Sequence, residues 1–145
     1  MKITIEHPKA GEEDEVIIRC GYVDERLMEF IRFLKAGQTM VTGYMDDKIM
    51  RLSPRDIFYF ESVDNRVFAY TGKEVYTVHK KLYEIEEEFF YTDFLRISKS
   101  VIVNVAKIAY LRPVFNGRFE AKLKNGEKVV ISRQYVADLK KKIGI

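Results

Sequence analysis

A chain of 145 residues with 47% hydrophobic and 32% charged residues is too apolar to be disordered, and it has room for one domain with a small addition. The formal net charge of +3 is unevenly placed. Residues 1–45 hold 6 Lys+Arg against 8 Asp+Glu and residues 46–145 hold 19 against 14, so a surface that meets phosphate belongs to the later part. The lone Cys20 excludes an internal disulfide, and after Val16, Ile17 and Ile18 it reads as a small buried hydrophobe. No apolar run reaches bilayer length and the N-terminus lacks a signal-peptide layout, so a cytoplasmic protein is expected.

Residues 2–6 and 15–19 alternate apolar and polar and predict two short strands around a Pro8–Gly11 turn. From Val23 the period changes: Val23, Leu27, Phe30, Ile31 and Leu34 share one helical face, with Gly37 as the C-cap. Residues 1–38 are thus expected to be a β-β-α extension that serves dimerisation or regulation. Residues 39–145 are expected to form the second unit.

That unit opens with strands at 39–45 and 48–52, then Ser53-Pro54 as cap and first residue of a single helical turn. Strands follow at 57–61, 67–71 and 74–78, the first two joined across Asp64, Asn65 and Arg66. Residues 80–89 predict a helix with Leu82, Ile85, Phe89 and Phe90 inward and Glu84, Glu86, Glu87 and Glu88 solvated. Residues 107–115 read as an edge strand because Pro113 breaks it. Asn116-Gly117 and Asn125-Gly126 are tight-turn signals joining it to strands at 118–123 and 128–131. Ser132 then caps a last helix at 133–142. Nine or ten short strands with two short helices predict a mainly β fold.

The most informative stretch is 94–104. Phe94, Leu95 and Ile97 bracket Arg96; Ser98, Lys99 and Ser100 interrupt; Val101, Ile102 and Val103 resume the apolar run up to Asn104. A few polar side chains pinned on both sides by core residues suit presentation to a partner, although a strand, a turn and a second strand would read the same way. The pattern Phe, any residue, Arg, two variable residues, polar, Ser, apolar run, Asn resembles the central signature of the LytTR family of bacterial DNA-binding domains. The flanking blocks 56–66 and 124–135 resemble that family in the same order, so the likeness covers residues 40 to 145.

The resemblance implies an elongated sandwich of small antiparallel sheets whose connecting loops project along one side. It implies contact with double-stranded DNA, at direct repeats in promoters, through loops inserted in the major groove. A receiver domain needs more than the residues available ahead of the match, so a standalone, response-regulator-like protein is expected. Three loops carry the expected base contacts: Asn65 and Arg66 after the first strand of the motif, Lys99 in the polar break, and Arg133 after the last strand. Arginine offers a planar fork for guanine O6 and N7, lysine a single cation. A cation at a helix N-terminus is disfavoured by the dipole, which makes Arg133 stand out. Ser100 and Gln134 are expected phosphate contacts. Arg96 fits a phosphate contact and an internal ion pair equally, whereas Asn104 and Glu61 read as structural.

His7 and His79 stand apart, no metal-ligand spacing occurs and no glycine-rich phosphate loop exists, so no enzyme, no cofactor and no small-molecule substrate are expected. Expected partners besides DNA are a second copy of the chain and, from the resemblance, a small membrane protein that restrains it. One alternative is a protein-interaction module on the same scaffold with a decayed DNA face; loss of the basic loop tips would mark it, and Arg66, Lys99 and Arg133 are retained. An RNA binder would need exposed aromatics on a sheet face, with Tyr59 and Tyr70 as the candidates.

Overall fold

The structure, a computed structural model, describes residues 2–36 and 39–145. Gly37, the expected C-cap, lies outside them. Helix α1 spans Glu25–Ala36 and strands β1 to β5 span Val41–Met45, Lys48–Leu52, Ile57–Val63, Arg66–Thr71 and Val75–Val78. Helix α2 (Leu82–Glu88) follows, then β6 (Phe94–Arg96), β7 (Val101–Asn104), β8 (Ile108–Pro113), β9 (Phe119–Leu123), β10 (Lys128–Ile131) and α3 (Val136–Ile143). The strands form two antiparallel sheets, one ordered β2-β1-β5-β4-β3-β7-β6 and one ordered β10-β9-β8. The mainly β expectation holds, and β8 is an edge strand as Pro113 requires.

Period-two alternation gives the large sheet two apolar faces. One face sends Val41, Phe60, Val67, Ala69, Tyr76, Val78, Phe94 and Ile102 against Leu82, Ile85 and Phe89 of α2. The other sends Tyr59, Leu95, Val101 and Val103 against Ala121, Leu123 and Ile131 of the small sheet and Leu139 of α3. Strand β3 carries a bulge, where its register with β4 shifts between Ile57 and Tyr59. An extra residue there turns Phe58 to the small sheet while Ile57 and Phe60 stay on the α2 side. Phe60 and Phe89 are fully buried, so truncating either to alanine would cost about 3–5 kcal/mol.

The β3–β4 turn places Asp64 at φ 50° and Asn65 at φ 61°. Two residues with positive φ make a primed hairpin turn that matches the strand twist, which Asp and Asn tolerate. Asn104, expected to be structural, is buried: its Nδ2 donates to the Ile57 carbonyl at 3.0 Å and its Oδ1 accepts from the Ala106 N–H at 3.1 Å. Glu61 likewise accepts from the Tyr70 hydroxyl at 3.1 Å.

Four expectations are corrected. Residues 2–6 and 15–19 form no strand, so the β-β-α extension reduces to its helix. Alternation favours a strand only where a partner edge completes its hydrogen bonds, and the two sheets enlist none of these residues. Cys20 is exposed. Phe90 lies past the end of α2 and points outward while Phe89 fills the core. Neither Ser53 nor Ser132 makes a side-chain cap; each stands ahead of a 3-10 turn, Pro54–Asp56 and Arg133–Tyr135. Helix α1 touches the body through Arg32, whose Nη1 lies 3.3 Å from the Tyr91 hydroxyl. Its Phe30 and Phe33 remain exposed.

Candidate nucleic-acid interface

Antiparallel pairing of β3 with β4 and with β7 brings the β3–β4 turn and the β6–β7 connection to one end of the large sheet. Beyond the last rung the Ser62 N–H donates to the Ser100 carbonyl at 2.8 Å, tying the two loops together. A second bond joins the sheets: the Ser132 N–H donates to the Ile97 carbonyl at 2.9 Å. Arg133 and Gln134 therefore follow directly from a residue bonded to the base of the Lys99 loop. Hydrogen bonds thus link the three sequence-distant loops that carry Asn65, Lys99 and Arg133.

Asn65 is exposed at the apex of its turn. Arg66, the first residue of β4, folds back so that its guanidinium carbon stands 5.6 Å from the centre of the Phe68 ring. The cation is thereby stacked, and its stem is held along the strand. Lys99 is exposed, and its main chain is held from below by Arg96. Arg96 Nε donates to the Ser98 carbonyl at 2.6 Å, Nη2 donates to the Lys99 carbonyl, and Nη1 stands 3.4 Å from Glu86 on α2. The Arg96 side chain is only 18% exposed. The Ser100 N–H donates to Ser98 Oγ at 3.2 Å, closing the polar break into a tight turn. Ser100 itself is half-buried.

Arg133 and Gln134 are exposed in the 3-10 turn ahead of α3. The stem of Arg133 lies over Gly117, where an added Cβ would stand 3.1 Å from Cδ and 3.2 Å from Cγ. The β8–β9 turn thus joins the same ledge and adds exposed Phe115, Asn116 and Arg118. The sequence marked Asn116-Gly117 as a turn only; the available signal was an unalternated phenylalanine between Pro113 and that turn.

Tyr59 and Tyr70 stack at 4.3 Å between ring centres. Burial raises the Tyr59 phenol well above its ordinary range, and the neighbouring Glu127 carboxylate pushes in the same direction. Both tyrosines are half-buried and do not offer the open platform that base stacking needs. Among the described residues no group of three or more His, Cys, Asp or Glu could hold a metal ion. No described helix is long and apolar enough to cross a membrane.

A family model described as the LytTr DNA-binding domain matches residues 47–144. The chain belongs to the LytTR family. A solved LytTr DNA-binding domain from Bacillus cereus superposes with a TM-score of 0.71 at 27% identity, covering 75% of this chain and 100% of that one. The chain is 31% identical over 123 residues to the sensory transduction protein LytT of Bacillus subtilis (strain 168), which takes in 85% of this chain and 51% of that protein. The chain therefore spans about half the length of that relative. It is also 29% identical over 143 residues to a Staphylococcus aureus (strain NCTC 8325 / PS 47) protein named an uncharacterized HTH-type transcriptional regulator, covering 99% of this chain and 89% of that one. The LytTR match begins at Asp47, so α1 and the residues before it lie outside it.

Proposed function

We propose that this LytTR chain is a sequence-specific transcriptional regulator that binds direct repeats in bacterial promoters, in the cytoplasm, with its loops entering the major groove. The observation that carries this reading is the linkage of the three loops: Ser62 to Ser100 and Ser132 to Ile97 fix Asn65, Lys99 and Arg133 relative to one another. Rigid spacing of side chains is what reading bases along a groove requires.

Arg133 is assigned to a guanine O6/N7 edge and Lys99 to a guanine acceptor. Asn65, at its turn apex, suits the N6/N7 edge of adenine, whereas Arg66, stacked on Phe68, is the weaker candidate for a base. Ser100 and Gln134 are assigned to phosphates. Arg96 positions the Lys99 loop and does not itself reach DNA. Residues 2–36 are assigned to self-association or to a regulatory partner, a small membrane protein among the candidates. Exposed Phe30 and Phe33 on α1 support that assignment.

The test is Arg133→Ala on duplexes that the unsubstituted chain selects from a randomised pool. Loss of a good base contact should weaken binding by about 1–3 kcal/mol, roughly five- to 150-fold. Unchanged affinity in a variant with native circular dichroism would refute the assignment.

A further inference from the structure

Phe115 is the most exposed large apolar side chain among the described residues, at 86%. It is not on a loose tip. Pro113 precedes it, and the Val114 N–H donates to the Arg118 carbonyl at 2.9 Å. The Arg118 N–H and Nε both donate to the Phe115 carbonyl, at 3.4 and 3.2 Å. Asn116 at φ 61° and Gly117 at φ 71° complete a tight reversal. A single exposed apolar residue is ordinary; this one is held on a braced turn, and its neighbours give it a meaning.

The surroundings specify the contact. Pro113 pairs with Phe119 and Phe119 with Ile131, so residues 114–118 and 132–134 leave the same end of the small sheet. The Arg133 stem packs over the turn at Gly117, where an added Cβ would come within 3.1 Å of it. The turn that carries Phe115 and the turn that carries Arg133 are therefore neighbours. A guanidinium fork matches guanine O6 and N7, and the apolar group on the floor of the major groove is the C5-methyl of thymine.

We propose that Phe115 is a base-reading residue that packs on the methyl group of a thymine next to the guanine taken by Arg133, with Gly117 small so that the two side chains enter the groove together. This rests on the DNA reading above. It adds a fourth loop and a preference for a guanine-thymine neighbourhood.

The experiment uses the full chain and a duplex it selects from a randomised pool, with each thymine replaced singly by deoxyuridine, which removes only the methyl group. One replacement should weaken the unsubstituted chain about fourfold, the worth of one buried carbon. Phe115→Ala should bind the parent duplex more weakly by at least that factor and be indifferent to that replacement. Phe115→Leu, still apolar, should keep part of the sensitivity. The proposal is overturned if Phe115→Ala binds as the unsubstituted chain does, or weakens on every duplex while no replacement matters. It is equally overturned if the substitution instead changes the sedimentation coefficient of the free protein, which would mean that a second copy covers the ring. If the unsubstituted chain selects no duplex from the pool, the DNA reading itself fails, a result distinct from failure at Phe115 alone.

Discussion

Replacing Arg96 by methionine separates holding a loop from touching DNA. Methionine keeps most of the stem but removes the donors to the Ser98 and Lys99 carbonyls and the approach to Glu86. A hydrogen bond from a charged group contributes about 1.5–3 kcal/mol. Both carbonyls lie in a turn that water can reach once the guanidinium is gone, so each loss falls at or below the low end. The Glu86 pair is long, and Glu86 is substantially exposed, so it adds about 0–1 kcal/mol. The sum is about 2–3 kcal/mol, to be read as a lower urea midpoint with an unchanged slope. The larger consequence is functional. Without Arg96, Lys99 loses its fixed position, and affinity for a selected duplex should fall on the order of tenfold, about 1.4 kcal/mol. Lys99→Ala should then add little in the Arg96→Met background, because one contact cannot be lost twice. Additivity of the two losses within about 0.3–0.5 kcal/mol, measured by titration, would refute the reasoning.

Lys99→Ala alone, with the ammonium on a guanine acceptor, should weaken binding and leave the slope of log K on log salt nearly unchanged, against about −0.9 per phosphate contact; a slope flattened by about one unit would place Lys99 on a phosphate and refute the assignment. Burial raises the Tyr59 phenol in the folded chain above its ordinary 10.0, so its contribution to stability is complete below that pH and is lost as pH climbs towards the folded value. The urea midpoint should therefore drop as the solution is taken above about pH 10, and Tyr59→Phe should shrink that drop; equal drops in both proteins would contradict the assignment. A chain beginning at Thr39, which forfeits the Arg32–Tyr91 contact, should fold and bind one repeat while losing paired binding on two. Insolubility would instead make α1 part of the core.

The sequence by itself determined the local structure from Thr39 onward. Asp64-Asn65, Asn116-Gly117 and Asn125-Gly126 mark reversals through residues that tolerate positive φ, and the alternation between them sets strand faces, both properties of a few adjacent residues. It also marked Asn104 as structural and the three loops as candidates. What it left to tertiary structure was pairing and coincidence in space. The alternation at residues 2–6 and 15–19 is as good as elsewhere, yet no ladder forms, since a strand exists only beside another. The bulge at Phe58, which puts Phe58 and Tyr59 both on the small-sheet side of β3, is likewise invisible in the alternation. The approach of Glu86 on α2 to Arg96 also belongs to tertiary packing. The ledge itself rests on Ser132 meeting Ile97, a single bond between strands that belong to different sheets. That bond ties the Arg133 turn to the base of the Lys99 loop, and the packing of the Arg133 stem over Gly117 draws the Phe115 turn into the same ledge; spacing along the chain carries no trace of either.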